Sequence, residues 1–184
     1  LTEMTFRLLP VPETARTVVV SGLNDAEATA AMATAMSLPV EVSGAAHLPE
    51  SVRGRFAGGV LPDGAATVLR LEGLSASVLV RTGKLEAAMA RFGTVSVLDA
   101  EATRILWREI RDVAPYADAT ARPLWRVSVA PTAGHQLLAA LRLETGVDAF
   151  YDWQGGLLWL RMEADPEAEL LRRYIQAVGG GHAT

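Results

Sequence analysis

Apolar and polar positions alternate with period two at the start of the chain. Met4, Phe6 and Leu8 stand against Thr5, Arg7 and Leu9, which predicts a strand over Met4–Leu9 that ends at Pro10-Val-Pro12. A second strand is predicted over Arg16–Ser21 from its Thr17-Val-Val-Val20 core. Asn24 and Glu27 then stand three apart, the spacing of a reciprocal helix N-terminal box, and Ala28, Met32, Ala35 and Met36 share one helical face as far as Pro39. Val40–Ala46 and Thr67–Glu72 read as a strand pair, separated by His47–Ala66, a Gly- and Pro-rich loop of about twenty residues. A helix opening at Ser75 or Ser77 carries Val78, Leu85, Met89 and Phe92 inward, is weakened by Gly83 and stops at Gly93; Val95–Leu98 follows as a strand. From Arg16 onward the order is β-α-β-β-α-β.

Asp99 caps a further helix, Ala100–Val113, with Ala102, Leu106, Ile110 and Val113 as its apolar stripe and Pro115 as its stop. The pattern then begins again. Leu124–Val129 alternates as a strand, and Pro131 and Thr132 introduce a helix bearing Leu137, Leu138 and Leu141. Val147–Trp153 and Leu157–Met162 flank Gln154-Gly-Gly156, a hairpin signal. Asp165-Pro166 opens a last helix with Leu170, Leu171, Tyr174 and Val178 inward, and Gly179-Gly-Gly181 ends it. His182-Ala-Thr184 stands where a closing strand would start. The fold class expected is α+β: a largely antiparallel sheet with helices on one face, built from two consecutive ferredoxin-like halves, the last strand truncated. The other face of the sheet is expected to be free, and an apolar face of that size needs a partner or a further domain over it.

Composition narrows the chemistry. Half of the 184 residues are hydrophobic, 17 basic and 21 acidic side chains give a net charge of -4, and there is no cysteine. Thiol catalysis, cysteine-ligated zinc and iron–sulfur ligation are thereby excluded. Sixteen of the basic residues are arginine, and none of their clusters exceeds two residues, which is no nucleic-acid signature in an acidic chain. No apolar run reaches membrane-span length and no leader is visible at Leu1, so a cytoplasmic protein is expected. A beginning without Met and an end just after a triple glycine suggest a piece of a longer polypeptide.

His47, His135 and His182 fall in no ligand spacing, no Gly-x-Ser-x-Gly elbow occurs, and the glycine-rich pieces match neither a P-loop nor a dinucleotide fingerprint. No metal site and no catalytic group are assigned. Arg126, between Trp125 and Val127, and Arg161, near the end of its strand, could each offer a planar fork to a carboxylate. The plainer reading of each is an arginine on the solvated face of a half-buried strand, or a bridge to Asp152 across the hairpin. Trp125, Trp153 and Trp159 suit the core or a ligand-stacking surface. Arg53 and Arg55 lie in the 47–66 loop, which could serve as a lid.

Thr5-Phe-Arg-Leu-Leu-Pro-Val-Pro-Glu13, Arg70-Leu-Glu-Gly73, Leu124-Trp-Arg-Val-Ser-Val129, Asp152-Trp-Gln-Gly-Gly-Leu-Leu-Trp-Leu160 and Gly180-Gly-His-Ala-Thr184, in that order and spacing, resemble the FAD-binding E subunit of bacterial glycolate oxidase. That subunit belongs to the FAD-linked oxidases of the vanillyl-alcohol-oxidase type. The resemblance implies that residues 1–184 form a single C-terminal cap domain over the flavin. FAD would be held mainly by an N-terminal domain outside this chain, with no cofactor in the chain alone. Glycolate would be oxidised to glyoxylate and electrons passed to an iron–sulfur subunit, in a complex that is cytoplasmic or membrane-associated through its other subunits. Nothing here matches the histidine-rich motif of the related catalytic subunit, so an accessory or electron-transfer role is implied, and no activity for the isolated chain. Arg126 and Arg161 would bind the substrate carboxylate, and Trp125, Asp152, Trp153 and His182 would form the flavin-facing wall. The alternative is a non-enzymatic interaction or small-ligand module using the free sheet face.

Overall fold

The computed structural model describes residues 3–6, 10–56, 59–163 and 168–184. Their strands form one antiparallel sheet of eight: β1 (Thr14–Ser21), β2 (Gly44–Leu48), β3 (Ala66–Gly73), β4 (Thr94–Leu98), β5 (Trp125–Val129), β6 (Val147–Asp152), β7 (Leu157–Met162) and β8 (Gly181–Ala183), in the spatial order β4-β1-β3-β2-β6-β7-β5-β8. Six helices accompany it: α1 (Asp25–Ser37), α2 (Glu50–Arg53), α3 (Ser75–Met89), α4 (Ala100–Arg111), α5 (Gly134–Glu144) and α6 (Ala168–Ala177). The class is α+β. The first four strands and the last four are joined by a single register pair, His47 of β2 opposite Tyr151 of β6.

Local chemistry places the elements. Asn24 Oδ1 accepts from the amides of Ala26 and Glu27, both at 3.0 Å, while Glu27 accepts the Asn24 amide at 2.9 Å, so the reciprocal box fixes the start of α1. Asp99 caps α4 through the Ala102 amide at 2.9 Å. The β6–β7 hairpin turns through Trp153, Gln154 and Gly155, all with positive φ.

On one face, α1 and α3 cover Val18, Val20, Leu69 and Leu71, and α5 and α6 cover Val127, Ala149, Leu158 and Leu160. The opposite face is not bare along its length. There Val19, Ala46, Val68 and Phe150 pack with Val52 of α2 and with Leu106 and Ile110 of α4, all of them at most 1% exposed. The expected one-sided arrangement is therefore corrected for the N-terminal half: after β4 the chain crosses back, and α4 lies over the outer face of β1. Burying such side chains contributes about 1.5–3 kcal/mol each. The same face is less covered at β5 and β8, where Arg126 and Ser128 are half-buried and His182 is exposed, with Trp159 of β7 half-buried beside them.

Other boundaries shift. Residues 40–43 are not strand and β2 begins at Gly44, extending into the predicted loop, which is further shortened by α2. Residues 3–6 belong to no strand, with Met4 and Phe6 well exposed; the rest of the Met4–Leu9 strand reading, at 7–9, and the Asp165-Pro166 helix start lie outside the described residues. In α6 the fully inward positions are Leu171 and Ile175. The closing strand begins at Gly181, as β8 on the edge of β5.

Candidate functional site

Alternation along β5 sends Val127 and Val129 toward α5 and α6, and therefore Arg126 and Ser128 to the opposite face. Arg126 registers with Trp159 of β7, and the Arg126 guanidinium lies 6.0 Å from the Trp159 ring centroid and 5.3 Å from that of Trp153. It is stacked on indole faces and engages no carboxylate among the described residues. Trp153 reaches it because Trp153 and Gln154 take left-handed φ values of 48° and 62°, a backbone that non-glycine side chains seldom adopt. The Asp152 carboxylate steadies the turn by accepting the Trp153 amide at 2.8 Å. Half-buried, Asp152 is shifted toward its neutral form: burial raises its pKa by more than the Trp153 amide and the Arg70 charge lower it.

The facing wall is α4. Trp107 Nε1 donates to Thr17 Oγ1 at 2.9 Å, and Arg70 of β3 lies 5.0 Å over the Trp107 ring. Gly44 permits this approach, since a Cβ there would stand 2.8 Å from the indole. Between α4, the β2–β3 strands and the β6–β7 hairpin opens a cleft of about 900 Å³, with Arg70, Arg108, Arg126, Trp107, Trp153 and Trp159 among its lining.

Three of the six residues singled out from sequence thus meet in the cleft: Arg126, Asp152 and Trp153. The other three do not. Arg161, 8% exposed, donates to Asp118 at 2.6 Å and to the Tyr116 carbonyl at 2.7 Å, and its guanidinium stacks on the Tyr116 ring. Trp125 faces the α5–α6 side with its Nε1 buried. His182 stands exposed on β8 opposite Ser128, outside the cleft lining. Arg53 and Arg55 are also held, Arg53 by Asp63 and Arg55 by Asp148. Sequence reasoning missed Arg70, Trp107 and Arg108; the i, i+4, i+7 spacing of Arg104, Arg108 and Arg111 beside Leu106 and Ile110 was the available signal for a basic helix edge.

A smaller cavity of about 410 Å³ lies at the junction of the two halves. Asp25, at the start of α1, accepts from Tyr151 Oη at 2.7 Å and from Arg142 Nη1 at 2.6 Å, and its other oxygen lies 3.3 Å from His47 Nε2. His47 Nδ1 meets Thr67 Oγ1 at 3.0 Å. Among the described residues no group of three or more His, Cys, Asp or Glu side chains could hold a metal, and no helix is long and apolar enough to cross a membrane.

No family model matches the sequence, and no curated protein matches it. Solved structures do. The chain is similar to p-cresol methylhydroxylase with substrate bound, at 12% identity and a TM-score of 0.57, over 94% of this chain and 43% of that one. It is similar to 4-ethylphenol oxidase from Gulosibacter chungangensis in its isoeugenol complex, at 14% identity and a TM-score of 0.58, over 93% and 45%. Alkyldihydroxyacetonephosphate synthase follows at 13% identity and 0.56, over 94% and 40%. The chain spans less than half the length of these proteins, and what it shares with that part of them is the fold.

Proposed function

We propose that this chain is the cap domain of an FAD-linked oxidase subunit, closing over a 2-hydroxy acid, glycolate in the first instance, and presenting Arg126 to its carboxylate. The observation that carries the reading is the Arg126 guanidinium, stacked on Trp153 and Trp159 with its N–H edges free at the cleft. A carboxylate bound there gains charge-assisted hydrogen bonds of fixed direction. The motif resemblance to the glycolate oxidase E subunit, and a fold shared with a methylhydroxylase and an oxidase, support the same assignment.

The cleft residues fit a flavin ring at their edge and do not fit a holder of the whole dinucleotide. Indole faces and a free guanidinium suit a planar ring, while no glycine-rich loop stands at a helix N-terminus in the lining. FAD would therefore be held mainly by an N-terminal domain of the same polypeptide. When bound, it would supply the acceptor for the two electrons released as the 2-hydroxy acid becomes a 2-oxo acid. This chain's part is to orient the carboxylate through Arg126, to exclude water with Trp153 and Trp159, and to supply no catalytic group of its own. An iron–sulfur subunit of the same complex would take the electrons onward, which makes the role accessory or electron-transferring.

The test is the intact flavin-loaded protein with Arg126→Gln. Glycolate KM should rise at least about tenfold, the factor expected from losing one charge-assisted contact. Unchanged KM and turnover would remove Arg126 from the substrate site, and absence of flavin absorbance in the intact protein would leave the non-enzymatic ligand module instead.

A further inference from the structure

Five arginines line the cleft, in a chain whose net charge is -4. Three are neutralised in place. Arg104 is held by Glu101, Arg111 by both oxygens of Asp112 at 2.8 and 3.2 Å, and Arg70 by Ser43 at 3.1 Å with Glu72 at 3.5 Å. The other two, Arg108 and Arg126, form no ion pair with any described residue. Arg108 feels Glu101 and Asp112 only through space, and both carboxylates are already engaged by Arg104 and Arg111. The two free guanidiniums come from different walls, Arg108 from α4 and Arg126 from β5. Of the two acidic residues in the lining, Glu72 faces Arg70 and Asp152 accepts the Trp153 amide at 2.8 Å. A monocarboxylate engages one of these cations and leaves the other uncompensated, and about 900 Å³ holds a chain longer than two carbons.

We infer that the cleft selects 2-hydroxy acids bearing a second anionic group, with the carboxylate next to the hydroxyl on Arg126 and the distal carboxylate or phosphate on Arg108. This deepens the proposed function and rests on its placement of the first carboxylate. The distal contact is partly exposed, so its contribution is that of a single screened ion pair, about fivefold in affinity.

Three of the four tryptophans line the cleft, so indole fluorescence of the 184-residue chain, whose three apolar clusters close within itself, reports occupancy. The probes are glycolate, malate and 3-phosphoglycerate, with the variants Arg108→Gln and Arg126→Gln. Malate or 3-phosphoglycerate should bind about fivefold tighter than glycolate, and the one that does identifies the distal group as carboxylate or phosphate. Arg108→Gln should abolish that preference by weakening malate or 3-phosphoglycerate more than glycolate, whereas Arg126→Gln should weaken every probe. Equal binding of all three by the unaltered chain, or equal weakening of all three by Arg108→Gln, overturns the inference while the Arg126 reading stands. If no probe perturbs the fluorescence, both fall. Arg108 is exposed on α4, so its variant should fold normally.

Discussion

Replacing Asp25 by Asn tests how the two halves of the sheet are held together. The side chain is only 17% exposed and receives Tyr151, Arg142 and His47, from β6, α5 and β2, at 2.6 to 3.3 Å. Tyr151 and His47 are each 1% exposed, so the donors left facing an amide cannot turn to water. Losing one charge-assisted hydrogen bond in such a place costs about 1.5–3 kcal/mol. Arg142, 36% exposed, adds at most about 1 kcal/mol after screening. The expected loss is about 2–4 kcal/mol, or a fall in Tm of about 5–15 °C for a chain of this size. Urea unfolding followed by circular dichroism at neutral pH measures it directly. The acid limb supplies a second reading. Burial opposes ionisation of Asp25, but donation from His47, Tyr151 and Arg142 outweighs it and holds the carboxyl well below the usual carboxylate range. A folded pKa below the unfolded value of about 3.9 means that the stabilisation is complete above that pH and is lost as pH falls through the acid range. Asp25→Asn should therefore flatten the loss of stability below about pH 4, leaving the share due to Asp118, which Arg161 holds low in the same way. A variant within about 0.5 kcal/mol of the unaltered protein at neutral pH, with a parallel acid limb, would refute the reasoning.

Gly44→Ala should push the Trp107 indole off β2, because the new Cβ would fall 2.8 Å from a ring already fixed by Thr17 and Arg70; the expected cost is about 1–3 kcal/mol, read as a lower denaturation midpoint and a shifted tryptophan emission. Arg161→Gln should lower stability by about 1–3 kcal/mol, since it unties Asp118 and the Tyr116 carbonyl, yet leave glycolate binding intact, because Arg161 lies outside the cleft; thermal melts and fluorescence titration separate the two effects.

The element order was legible because its signals are local. The Asn24–Glu27 box, the alternation of β5, the hairpin glycines and the Leu137-Leu138-Leu141 stripe each announce a structure through their own neighbours. The path of α4 was not legible in that way, since its Leu106–Ile110 stripe says which side is buried and not which face of the sheet receives it. One clue was present: Val18-Val19-Val20 is a continuous apolar run, and all three residues are fully buried, as a strand covered on both faces requires. Within the site, Arg126, Asp152 and Trp153 could be chosen because they sit close together in a hairpin and its register partner. Trp107, Arg70 and Gly44 meet only through the tertiary crossing of α4, and no spacing along the chain encodes that encounter. Arg161 shares its residue type and its strand setting with Arg126, but its fate was decided by Asp118, a residue of an irregular segment.

Read outward from the His47–Tyr151 joint, the strand sequence is the same in both directions: second, third, first and fourth strand of each half. A nearly two-fold object of this kind would present two equivalent outer surfaces, and α4 breaks the equivalence by roofing one of them, with no counterpart over the other among the described residues. The cleft is the step at the edge of that roof. Its position therefore belongs to the asymmetry of the molecule rather than to either half, and a change in the length or seating of α4 would resize the binding surface without disturbing a single strand pairing.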